Sequence, residues 1–128
     1  MYSILIVDDD PWIRSLLRHL IEKENHNAML SSNSERALTI LEDNPHINLV
    51  ILDMQMPGMN GQELAKQIRS TPETSDIPII MVSGFVQAHE VSDILKHGVD
   101  RFVPKPIDHD QITGYINDML EMNRAKSA

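Results

Sequence analysis

Three uninterrupted apolar runs, Ile4-Leu5-Ile6-Val7, Leu49-Val50-Ile51-Leu52 and Ile79-Ile80-Met81-Val82, constrain this chain more than any other feature. A strand with one wet face alternates apolar and polar residues. A continuous run of this length therefore belongs to a strand covered on both faces, as in a parallel sheet. A briefer run, Phe102-Val103, and a weaker one at Asn27-Ala28-Met29-Leu30 complete a set of five strands. The stretches between them carry helical spacing. Ile13, Leu16, Leu17, Leu20 and Ile21 form an apolar stripe, with Asp10 as N-cap and Pro11 at the first helical position. Ser32 and Glu35 have the spacing of a capping box ahead of Ala37, Ile40 and Leu41. Leu64, Ala65 and Ile68 mark a third helix stopped near Thr71-Pro72, and Val91, Ile94 and Leu95 a fourth with Gly98 just past its end. Ile112, Tyr115, Ile116, Met119 and Leu120 mark the fifth. Strand and helix thus alternate five times, which predicts an α/β fold: a doubly wound, five-stranded parallel sheet with five helices on its two faces.

The length, 128 residues, suits one domain. Residues 1–122 are read as that domain, and 123–128 as a tail or the start of a linker. The formal net charge of −8 disfavours direct nucleic-acid binding, because phosphate contacts need Lys and Arg. It equally disfavours an anionic membrane surface. No apolar run approaches the ~20 residues of a membrane span, and no secretory signal is visible, so a cytoplasmic location is expected. The absence of cysteine excludes disulfides, thiol catalysis and Cys-ligated metals. The six histidines lack ligand spacing and are read as surface residues.

In open α/β sheets the chemistry lies beyond the carboxyl ends of the strands. Asp8, Asp9 and Asp10 follow the first strand, Asp53 the third and Ser83 the fourth, while Lys105 sits between two prolines after the fifth. Clustered carboxylates repel unless a cation neutralises them. An all-oxygen set suits a hard ion, magnesium (Mg2+) in particular. One metal, one ammonium and one hydroxyl can together accommodate a phosphoryl group, and a carboxylate can accept it as an aspartyl-phosphate. Asp53, alone at its strand end, is the expected nucleophile.

The motifs Ile6-Val7-Asp8-Asp9-Asp10, Leu52-Asp53-Met54-Gln55-Met56-Pro57-Gly58-Met59-Asn60-Gly61, Met81-Val82-Ser83-Gly84 and Phe102-Val103-Pro104-Lys105-Pro106 occur in this order. Together they make almost the whole chain resemble the receiver domain of two-component response regulators. That resemblance implies a flavodoxin-like fold in which Asp53 accepts a phosphoryl group from a histidine kinase or a histidine phosphotransfer protein. It further implies magnesium on Asp8, Asp9, Asp53 and the backbone carbonyl of Gln55. Ser83 would contact the phosphoryl oxygens, Lys105 would pair with the phosphate, and Phe102 would be the switch aromatic. It also implies a cis Lys105–Pro106 peptide. Gln55 and Phe85 would flank the line of attack, and the face made by the fourth helix, fifth strand and fifth helix would act on a downstream protein or output domain.

Each residue also has a plainer reading. A strand-end Asp often caps or turns the chain, which is the preferred reading for Asp10. Ser83 has the alternative of capping the next helix. Phe102 has that of plain core, Lys105 that of a solvated surface lysine, and Trp12 that of a half-exposed packing residue. Met54, Met56 and Met59 are expected beneath their loop. Among rival functions, an aspartyl-nucleophile phosphatase wants an acid two residues after the nucleophile, where Gln55 stands. A flavodoxin-like cofactor binder wants a Gly/Ser/Thr-rich phosphate loop where the three aspartates lie. An interaction module of the same fold, indifferent to phosphorylation, is the remaining alternative.

Overall fold

The computed structural model describes residues 1–84 and 87–127. Five strands, β1 (Ser3–Val7), β2 (Asn27–Ser31), β3 (Leu49–Asp53), β4 (Ile79–Ser83) and β5 (Arg101–Pro104), alternate with five helices. The helices are α1 (Pro11–Lys23), α2 (Ser34–Asp43), α3 (Gly61–Ser70), α4 (Ala88–Lys96) and α5 (His109–Ser127). The strands form one parallel sheet in the order β2-β1-β3-β4-β5. The order reverses direction at β1/β3, so the loops after those strands open a crevice at the carboxyl edge, where Asp8 and Asp53 emerge.

The continuous runs resolve into two cores, because successive side chains point to opposite faces of a strand. Leu5, Val7, Val50, Leu52, Ile79 and Met81 pack with Ala37, Leu41, Leu64, Ala65, Ile68 and Ile94 from α2, α3 and α4. Ile4, Ile6, Leu49, Ile51, Ile80 and Val82 pack instead with Leu17, Ile21, Ile112, Ile116 and Met119 from α1 and α5. Both faces are therefore dry, as the absence of alternation requires.

Helix starts agree with the sequence in part. The Asp10 side chain accepts the Trp12 N–H at 2.9 Å, with Pro11 opening α1. The expected Ser32/Glu35 box does not form. Asn33 is the N-cap of α2, accepting the Arg36 N–H at 2.8 Å. The shift by one residue frees Ser34, fully buried, to donate to the Met59 carbonyl at 2.8 Å. The capping box of this chain lies at α3, where Asn60 and Glu63 satisfy each other's backbone N–H. Gly98, with φ +99°, ends the α4 turn as expected. At the far end of the sheet Arg69 donates to the Ser75 and Ile77 carbonyls and to Asp100, whose carboxylate also accepts the Ile79 N–H.

Two surface expectations need correction. Trp12, the second residue of α1, is 81% exposed rather than half-packed. His26 is not purely a surface residue: its ring accepts the Tyr2 N–H at 3.2 Å and lies against the Tyr2 ring. The other five histidines are exposed. Met56 is buried, and Met54 and Met59 pack against the first core.

Candidate functional site

The site assembles at strand ends because strands stop there while the backbone must turn. Asp8 is the first residue beyond β1; its N–H still reaches the Ser31 carbonyl, and its side chain accepts the Asp10 N–H at 2.9 Å. This Asx turn hands the chain from β1 to the α1 cap. Asp53 ends β3 in register with Val82, one residue short of Ser83. Ser83 ends β4, where its carbonyl accepts the Lys105 N–H at 2.9 Å. That bond holds the segment carrying Lys105 against the site, and the Lys105–Pro106 peptide is cis.

The side chains converge. One carboxylate oxygen from each of Asp8, Asp9 and Asp53 lies within 4.8 Å of the other two. Lys105 Nζ stands 3.3 Å from Asp8 and 3.4 Å from Asp53. Asp8 and Asp53 are buried, whereas Asp9 is exposed. The Gln55 N–H approaches the Asp53 carboxylate at 3.4 Å, so the Gln55 backbone lies beside the cluster. The Ser83 hydroxyl is buried and has no hydrogen-bond partner among the described residues. Ser83 does not cap α4, whose N-cap is Gln87. Phe102 is partly buried against the α2–α3–α4 core, while its neighbour Arg101 lies over the Tyr115 ring at 5.8 Å. Phe85, expected to flank the site, lies outside the described residues.

Electrostatically this cluster is under-neutralised. Burial raises the pKa of Asp8, against the opposing effects of the Asp10 N–H and Lys105. Burial also raises that of Asp53, and the Asp8 charge adds to it. For Lys105, burial opposes the charge, but the two carboxylates outweigh it and the pKa rises. Three carboxylates against one ammonium leave negative charge in a partly dry crevice, which a divalent cation would offset. The all-oxygen donor set fits magnesium, with room on the exposed Asp9 side for the waters that ion retains.

Three residues of the neighbourhood were not visible as site elements in the sequence. Arg14 donates to the Asp8 carbonyl at 2.6 Å. Ser34 holds the Met59 carbonyl in the loop after Asp53. Gly61 packs so closely on β3 that an added Cβ would overlap the Asp53 carbonyl oxygen. The only sequence signal among them is Gly61, as the last residue of the loop motif.

Three aspartates and a lysine, rather than a Gly/Ser/Thr-rich phosphate loop, thus occupy the β1/β3 carboxyl edge of this doubly wound sheet. The response regulator receiver domain family matches residues 4–117, and the chain belongs to that family. It is 30% identical over 127 residues to a chemotaxis protein CheY homolog of Campylobacter jejuni, covering 98% of each. It is 35% identical over 122 residues to the transcriptional regulatory protein CpxR of Escherichia coli, covering 94% of this chain but 50% of CpxR. The chain thus spans about half the length of the first such relatives. A response regulator receiver domain protein from Clostridium thermocellum has the same fold, with a TM-score of 0.90 at 24% identity over 98% of both chains. No helix among the described residues is long and apolar enough to cross a membrane.

Proposed function

We propose that this chain is a magnesium-dependent phosphorylation switch of a two-component pathway, with Asp53 as the phosphoacceptor. The observation that carries the reading is the convergence of Asp8, Asp9 and Asp53 with Lys105 Nζ within 3.4 Å of two of them. The donor is the phosphohistidine of a histidine kinase or histidine phosphotransfer protein. An Asp53 carboxylate oxygen attacks phosphorus while the P–N bond breaks, and the imidazole nitrogen leaves with the electron pair and takes up a proton. Asp8, Asp9, Asp53 and the Gln55 carbonyl would hold the magnesium, which when bound would offset the charge of the incoming phosphoryl oxygens. Lys105 pairs with one of those oxygens, and the partnerless Ser83 hydroxyl donates to another. The phosphoryl group brings new negative charge, and its pull on Ser83 draws the β4–α4 loop inward. Phe102 repacks against the first core as that loop moves, so the α4–β5–α5 face reports the state of Asp53. A downstream protein or an attached output domain reads that face. The domain works in the cytoplasm, with neither nucleic acid nor membrane as a direct ligand. It hastens its own phosphorylation and hydrolysis but is a switch rather than an enzyme with turnover as its purpose.

Two measurements test this reading. Lys105→Ala is expected to slow phosphoryl uptake from acetyl phosphate about a hundredfold, the usual cost of removing one preorganised charge partner. In amide NMR spectra, phosphorylation is expected to shift Val91, Leu95, Phe102 and Tyr115 more than residues of β2 and α2. An unchanged uptake rate in Lys105→Ala would remove that residue from the chemistry. Equal spectra with and without phosphorylation at the α4–β5–α5 face would favour the phosphorylation-independent interaction module.

A further inference from the structure

We infer that Arg14 is a positioning residue for the metal site, fixing the direction from which Asp9 presents its carboxylate. The inference rests on the magnesium reading above. The Asp8 carbonyl lies past the end of β1, where the strand ladder no longer supplies a donor. Arg14, in the second turn of α1, fills that role from six residues away, with a guanidinium N–H at 2.6 Å. The Asp8 carbonyl and the Asp9 N–H share one peptide plane, so this bond sets the orientation of that plane. The Asp8 side chain is independently held by the Asp10 N–H and Lys105. Asp9 is exposed and has no such side-chain framework among the described residues; its direction depends on the backbone that carries it. Ordering that backbone before the ion arrives removes an entropic cost from binding.

The sign of the effect separates this role from a simple charge effect. Removing a cation near a cation site should strengthen magnesium binding, since one repulsive charge is lost. Loss of positioning should weaken it. Arg14→Met keeps the apolar stem and the helix propensity while deleting both donor and charge. Arg14→Lys keeps a donor on a stem of comparable reach. Arg18→Met removes a charge one turn further along, from an exposed pair with Glu22 at 3.0 Å, and controls for long-range electrostatics.

Isothermal titration of magnesium into the four proteins at constant ionic strength, each shown folded by circular dichroism, reads the difference. Arg14→Met is expected to bind about tenfold more weakly, the usual size of an outer-sphere effect on a metal site. Arg14→Lys should recover most of the loss, and Arg18→Met should match wild type. Equal or tighter binding by Arg14→Met, with wild type binding normally, overturns the inference and leaves the magnesium reading intact. No binding by wild type overturns that reading, and the inference with it.

Discussion

Gly61→Ala is expected to be among the most damaging small substitutions in this chain, lowering stability by about 3 kcal/mol and the melting temperature by roughly 10 °C. Helix propensity alone forecasts the opposite, since Ala in place of Gly in a helix gains up to about 1 kcal/mol. Packing decides the sign. Gly61 opens α3 directly against the end of β3, donating its N–H to the Met54 carbonyl at 2.9 Å. A Cβ there would overlap the Asp53 carbonyl oxygen and lie 2.8 Å from both the Asp53 carbonyl carbon and the Met54 Cα. These are backbone atoms of the last residue of a central strand and of the residue after it, and they cannot swing aside as a flexible side chain does. Relief would move either α3 or the phosphoacceptor itself, so phosphoryl uptake should fall along with stability. Gly114→Ala is the control. Gly114 lies in α5 with nothing within 4 Å of its added Cβ, so propensity should win there and stability should rise slightly. Thermal melts of both variants check the pair. A Gly61→Ala protein as stable as wild type would mean that α3 and β3 approach each other less closely than this overlap requires.

Replacing the acceptor itself should stabilise the metal-free protein. Burial raises the pKa of Asp53, and the Asp8 charge raises it further, so the folded state holds its proton more tightly than the unfolded chain does. Stability linked to that group is highest in acid. It declines as pH climbs from the ordinary value of 3.8 through the raised folded value, and the loss is complete above it. Asp8 follows the same sign. Lys105, raised by its carboxylate partners, stays charged throughout this range. At neutral pH in EDTA, Asp53→Asn should therefore melt several degrees above wild type, a gain on the order of 1 kcal/mol. Lys105 keeps Asp8 as its partner at 3.3 Å, so the substitution does not strand the ammonium. Magnesium should reverse the ranking. Wild type gains about 2.7 kcal/mol when the ion is at a hundred times its dissociation constant. Asp53→Asn, with one anionic ligand fewer, should gain much less. Melts across pH 4–8, with and without magnesium, check both halves. A variant less stable than wild type in EDTA would contradict the account of burial and repulsion at this site.

Much of the fold was legible because three strands are buried on both faces, which writes their position as unbroken apolar runs. β2 was the weakest signal for a physical reason. It is an edge strand whose side chains are mostly half-buried, so selection on its apolar content is slack. The α2 start was misjudged by one residue because Ser32, Asn33 and Ser34 are all good caps. What chose Asn33 was the demand of the distant Met59 carbonyl for the Ser34 hydroxyl. The acidic pair and Asp53 stood out by strand-end position, whereas Ser83 and Lys105 needed the motif resemblance to be singled out; the structure brings Asp8, Asp9, Asp53 and Lys105 together. Arg14 and Gly61 could not be assigned in that way. Arg14 reads as the polar flank of an amphipathic helix, and its partner is a backbone atom. The constraint on Gly61 is a space that only the folded chain defines.

The most direct test of the central proposal is intact-mass spectrometry after incubation with magnesium and acetyl phosphate, beside Asp53→Asn and an EDTA-treated sample. Wild type alone is expected to gain one phosphoryl group, and both the substitution and prior chelation should abolish the gain. Folded, magnesium-bound wild type that gains no mass, or an Asp53→Asn protein that gains the same mass, would contradict it.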